Sequence, residues 1–115
     1  GEQYGGGKIG AGISAQEAMK QALYYWQPSI APSGMIFVSS NRYGDDWNGN
    51  LLVGSLKFSY LARITLDSKQ KIVREDKINV GERVRDVRQA PDGFIYVLTD
   101  SANGKLLRLQ PYLQP

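Results

Sequence analysis

Seven short runs of apolar or alternating residues follow one another between residues 34 and 111, at a spacing near ten residues. They are GMIFVSS (34–40), NLLVGSL (50–56), YLARITL (60–66), KIVREDKINV (71–80), RVRDVRQ (83–89), FIYVLTD (94–100) and KLLRLQP (105–111). Each is short and apolar or alternating, as strands are, and turn-rich pieces such as RYGDDWNG, KFS and DSKQ separate them. Asp92-Gly93 and Asn103-Gly104 are dipeptides suited to tight turns between strands. The pattern predicts an all-β chain of antiparallel sheets.

A repeat sharpens this expectation. Sliding the chain by 45 residues lays LLVGSLKFSYLARITL (51–66) on YVLTDSANGKLLRLQP (96–111), so that Leu61, Arg63 and Ile64 fall on Leu106, Arg108 and Leu109. Units of about 40–45 residues with four strands each are the mark of a β-propeller blade. A competing match of APSGMIFV (31–38) with APDGFIYV (90–97) implies a shift of 59 and is read as shared turn chemistry. The predicted organisation is a loop-rich lead-in over 1–33, one blade over 34–80, and three strands of a following blade over 81–115. Within the lead-in, GEQYGGGKIGAGI (1–13) reads as loop or as the cut end of a larger protein. SAQEAMKQAL (14–23) reads as a short helical turn with Ser14 as N-cap and Glu17 completing a capping box, and Pro28 and Pro32 forbid a long helix. Propeller rings need about four to eight blades, so a two-blade chain is expected to be the C-terminal piece of a larger propeller or to assemble with copies of itself through its open edges. Three copies would complete a six-bladed ring.

Composition removes several chemistries. The chain has no histidine and no cysteine. No Ser-His-Asp triad, Cys-His dyad, disulfide frame or cysteine-based zinc site can be built from it. A net charge of +3 with scattered basic residues is too weak to argue for nucleic acid. No apolar run approaches the roughly 20 residues of a membrane helix. The chain opens on a polar Gly-Glu-Gln with no secretory signal, which leaves the compartment open, since a mature chain would look the same.

The segment GERVRDVRQAPDG (81–93) holds three arginines in six residues. On a strand, Arg83 and Arg85 project to one side. The alternation breaks near Asp86, so Val84 and Val87 pack elsewhere, and Arg88 with Asp86 reads as a strand-end ion pair. The Arg83–Arg85 face is either ordinary solvated surface or a grip for a ligand with several negative charges. GDDWNGN (44–50) lacks the glycine position and closing glutamate of an EF-hand, and reads as a hairpin turn around Asn48-Gly49. GGGKIG (5–10) lacks the ending of a phosphate loop.

YYWQPSIAPSGM (24–35), NGNLLVGSLK (48–57) and ERVRDVRQAPDGFIYVLTD (82–100), in that order, resemble the C-terminal third of the soluble aldose dehydrogenases that use pyrroloquinoline quinone (PQQ), the glucose/sorbosone dehydrogenase family. The resemblance implies a six-bladed propeller, a periplasmic or secreted location, an aldose sugar as substrate, and the remaining blades as partners of this chain. It implies that Lys57, Arg83 and Arg85 contact PQQ and that Tyr24 flanks it. The family's catalytic histidine and calcium ligands belong to earlier blades, so this chain carries no catalytic residue and no metal ligand, and is expected to be inactive alone. Blade topology would bring Lys57, between second and third strands, to the same end as the start of the next blade, where Arg83 and Arg85 lie. The other reading is a non-catalytic propeller piece that binds a protein or glycan.

Overall fold

The computed structural model describes residues 31–111, together with residues 8, 9, 13, 14, 17 and 20. Seven of its strands coincide with the seven predicted runs: β3 (Pro32–Phe37), β4 (Leu51–Ser55), β5 (Tyr60–Leu66), β6 (Ile72–Asn79), β7 (Val84–Gln89), β8 (Ile95–Thr99) and β9 (Leu106–Arg108). They form two antiparallel meanders, a four-stranded sheet in the order β3-β4-β5-β6 and a three-stranded sheet in the order β7-β8-β9. The sheets stack face to face as consecutive blades of a β-propeller, with no closed ring.

The packing follows from the residue pattern. The uninterrupted LLVGS of β4 is buried along its whole length, as a strand covered on both faces must be. Side chains alternate across it. Leu51 and Val53 join Ala62 and Ile64 on one face. Leu52 joins Val38 and Leu61 on the other face, where they meet Val84, Val87, Ile95 and Val97 of the second sheet. That second cluster is the core between the blades. Among the described residues β6 ends its sheet, and its Arg74, Glu75 and Lys77 suit an edge strand.

A polar seam locks the blades together. Ser33 Oγ donates to the Val84 carbonyl at 2.7 Å, and Ser40 Oγ donates to the Gly93 carbonyl at 2.6 Å. Gln89 receives the Ser39 N–H at 2.9 Å and returns a bond to the Ser39 carbonyl at 2.7 Å. Tyr43 reaches between β8 and the chain beyond β9: its hydroxyl accepts from the Ile95 N–H at 2.9 Å and donates to the Leu109 carbonyl at 2.8 Å.

The topology decides between the two repeat shifts. Moving by 45 residues lays β4 and β5, second and third in their sheet, on β8 and β9, which hold the same places. The shift of 59 would lay a first strand on a second one. Of the two expected tight turns, Asp92-Gly93 forms as read: Gly93 takes φ of 89°, its N–H donates to the Ala90 carbonyl, and Asp92 Oδ1 accepts the Phe94 N–H. Asn103-Gly104 does not, because the β8–β9 connection is closed from Thr99. The Thr99 N–H donates to the Lys105 carbonyl, and its Oγ1 accepts the Lys105 N–H at 2.7 Å. The turn around Asn48-Gly49 sits on a wider connection with a 3-10 turn at Asp45–Trp47, pinned by Gly49 N–H to the Val38 carbonyl at 2.8 Å.

The lead-in departs from its reading as loop. β1 (Lys8–Ile9) and β2 (Ile13–Ser14) pair antiparallel, Lys8 with Ser14 and Ile9 with Ile13. An isoleucine in each arm favours extended backbone. Ser14 ends the second of these strands, Glu17 and Lys20 are helical, and the remainder of the 14–23 run, on which the capping-box reading depends, lies outside the described residues.

Candidate functional site

The connection that carries Lys57 and the start of β7 meet at one end of the blades. Ser55, fully buried at the end of β4, uses its hydroxyl oxygen to accept the N–H groups of Lys57 at 3.1 Å and Phe58 at 2.9 Å, which curls the chain back. Two residues on, the Ser59 carbonyl accepts the N–H of Val80 at 2.9 Å and of Gly81 at 3.3 Å. The β4–β5 connection is thus stitched to the residues that lead into β7. Lys57 itself is exposed, with its ammonium 5.3 Å from the Phe58 ring.

A β-bulge shapes the arginine pair. The β7–β8 ladder runs from Gln89–Ile95 to Asp86–Leu98, then shifts, and resumes at Val84–Thr99. The extra residue explains why Val84 and Val87, three apart, are both buried in the inter-blade core. It also sets Asp100 opposite Arg83, whose carbonyl accepts the Asp100 N–H at 2.7 Å. The Asp100 carboxylate then reaches both guanidinium groups, Arg83 Nη2 at 3.4 Å and Arg85 Nη1 at 3.5 Å. The side chains of Arg83 and Arg85 remain 55% and 66% exposed, against 29% for Asp100. Two cations share one anion, so the cluster keeps a net positive charge and guanidinium N–H groups directed at solvent.

A second ion pair braces the same end. Glu82 accepts from Lys105 Nζ at 3.1 Å and from Ser101 Oγ at 3.3 Å. The Thr99 hydroxyl, followed by Lys105, holds the Glu82 carboxyl below the usual carboxylate range. Arg88 Nε pairs with Asp86 Oδ2 at 3.1 Å, the ion pair read from the sequence, although it lies within β7 and not at the strand end. Tyr24 lies outside the described residues. Asp100, Glu82 and Lys105 are the members that sequence reading missed; Asp100 could have been found only by placing the bulge. Among the described residues, no group of three or more histidine, cysteine, aspartate or glutamate side chains is placed to hold a metal ion.

A cleft of about 590 Å³ lies at the other end of β7, lined by Ser39, Arg42, Gln89 and Phe94 among others, and the arginine pair is not part of it. Arg42 and Arg108 lie over the Phe94 ring there, 3.9 and 4.5 Å from its centroid. The arginine pair offers instead an open, forked cationic surface suited to carboxylates.

Comparison with known proteins gives a consistent picture. The family model described as "Glucose / Sorbosone dehydrogenase" matches residues 1–108. The chain is 42% identical over 100 residues to the uncharacterized protein slr1608 of Synechocystis, covering 87% of this chain and 24% of that protein. It is 37% identical over 94 residues to the aldose sugar dehydrogenase YliI of Escherichia coli, covering 80% of this chain and 25% of that protein. It is 36% identical over 84 residues to the quinoprotein glucose dehydrogenase B of Acinetobacter calcoaceticus, covering 69% of this chain and 18% of that protein. A crystal structure of a glucose dehydrogenase superposes with a TM-score of 0.67 at 40% identity, over 73% of this chain and 24% of that one. The chain therefore spans about a quarter or less of the length of the relatives it matches.

Proposed function

The chain belongs to the glucose/sorbosone dehydrogenase family, and from that premise we propose that it forms the C-terminal part of a PQQ-dependent dehydrogenase that oxidises aldose sugars. Its own part is to supply a cationic wall to the cofactor. The observation that carries this reading is the forked arrangement of Arg83 and Arg85 around a single carboxylate, with exposed guanidinium donors left over. A quinoprotein and an aldose sugar dehydrogenase among the relatives support it.

The donor set suits the cofactor. PQQ carries three carboxylates on a planar frame, and guanidinium groups bind carboxylates through two parallel N–H bonds. Arg83 and Arg85 would hold carboxylate or quinone oxygens, Lys57 would add a third positive charge from the β4–β5 connection, and Tyr24 would flank the ring. When bound, PQQ supplies an ortho-quinone that accepts two electrons. These side chains bind and orient it. The proton-abstracting base, the calcium ligands and the remaining blades would come from elsewhere in the full-length protein, which we place in the periplasm or outside the cell.

The test is titration of PQQ into the cofactor-free full-length protein containing this sequence, followed by quenching of tryptophan fluorescence. Each charge-assisted bond contributes about 1.5–3 kcal/mol, so Arg83→Glu, Arg85→Glu and Lys57→Glu are each expected to weaken binding at least about tenfold. Unchanged affinity in all three variants would overturn the assignment.

A further inference from the structure

We infer that Asp100 is a built-in counter-ion that holds the place of a ligand carboxylate at the arginine pair and lowers the affinity of the site for its anionic ligand. The inference rests on the reading of Arg83 and Arg85 as PQQ-binding residues. Its basis is geometric. One carboxylate stands 3.4 Å from Arg83 Nη2 and 3.5 Å from Arg85 Nη1, between the two forks that an incoming carboxylate would use. Asp100 cannot drift away, because its backbone N–H is bonded to the Arg83 carbonyl at 2.7 Å and the next ladder pair, Val84–Thr99, is buried on both sides. The adjacent carboxylate, Glu82, is occupied by Lys105 and Ser101 and leaves Asp100 to the arginines.

An arriving carboxylate must therefore share the guanidinium donors with Asp100 and approach its negative charge. At an exposed site this opposition is modest. Asp100 thus adjusts how tightly the site holds an anion, and the arginines decide whether it holds one.

The sign of the effect separates this role from a structural one. In the cofactor-free full-length protein, Asp100→Asn removes the charge at constant shape and is expected to tighten PQQ binding about two- to fivefold, with a steeper loss of affinity as salt is added. Asp100→Glu keeps the charge and stays near the parent affinity. Damage to the scaffold would weaken binding, so tighter binding by Asp100→Asn, repeated with Asp100→Ala, supports the inference. Unchanged or weaker binding by both, while Arg83→Glu and Arg85→Glu still weaken it, overturns the role of Asp100 alone. Unchanged binding by the arginine variants overturns the cofactor reading and this inference with it.

Discussion

Gly54 and Val84 touch across the blade interface so closely that a Cβ on Gly54 would stand 2.5 Å from Val84 Cγ1. The contact joins β4 at the centre of the first blade to the first residue of β7, one position from Arg83. Gly54→Ala must push β7 outward or displace Val84 from a fully buried position. We expect a loss of about 1–3 kcal/mol in chemical denaturation, the usual range for an overpacked core. The same variant should weaken PQQ binding by the full-length protein, because β7 carries the arginine pair.

Tyr43 closes the other end of the interface through its hydroxyl. It accepts from Ile95 and donates to Leu109, so both backbone groups depend on it where the β8–β9 ladder has ended. Tyr43→Phe keeps the ring stacked on Trp47 at 5.2 Å but leaves a donor and an acceptor unmet. An unmet buried group costs about 1–3 kcal/mol; Ile95 is buried and Leu109 half-buried, so thermal or denaturant unfolding should register a loss of at least about 1–3 kcal/mol. Hydrogen exchange at Ile95 should rise more than at Val97, whose ladder bonds are untouched.

Stability should fall on the acid side, with a sign set by two carboxyls. Glu82 is held below the ordinary range chiefly by the Thr99 hydroxyl and then Lys105. Asp67 is held low chiefly by the Lys71 N–H, which outweighs the opposing desolvation, and the Lys69 N–H adds a lesser lowering effect. A folded value below the unfolded one means that the unfolded chain takes up protons first as pH drops. The stabilisation is complete above the ordinary carboxylate range and is lost as pH falls through the lower folded values. Glu82→Gln with Asp67→Asn should flatten the acid limb of a melting-temperature profile; an unaltered limb would refute this assignment.

The strands were legible because each apolar run between turn signals has one way to bury its side chains. Even the broken alternation at Asp86 was visible in the spacing of Val84 and Val87. Its consequence was not. Counting outward from the Asp92-Gly93 turn pairs Gln89 with Ile95 and Val87 with Val97, and an unbroken ladder would continue to Arg83 with Ser101. The bulge shortens that count by one and delivers Asp100 in place of Ser101. The spacing of the two valines shows that the alternation breaks, but which residue of β8 then faces Arg83 depends on the pairing of β7 with β8, which no local pattern reports. Likewise, pairing of Lys8–Ile9 with Ile13–Ser14 was hidden by the glycines around it.

The outer face of the second blade gives the last prediction. Leu98 and Leu106 are direct ladder partners, 39% and 70% exposed, and β9 ends its sheet among the described residues. A paired apolar patch beside an open strand edge invites association with another sheet. On the proposed reading of the chain as part of a larger propeller, this face would meet a further blade. The 115-residue chain on its own should therefore self-associate in sedimentation velocity as its concentration rises. Leu98→Lys with Leu106→Lys should return it to a monomer without loss of β signal in circular dichroism, since neither side chain belongs to the inter-blade core. A parent chain that stays monomeric throughout, or a double variant that associates as strongly as the parent, would show that this face is not the adhesive one.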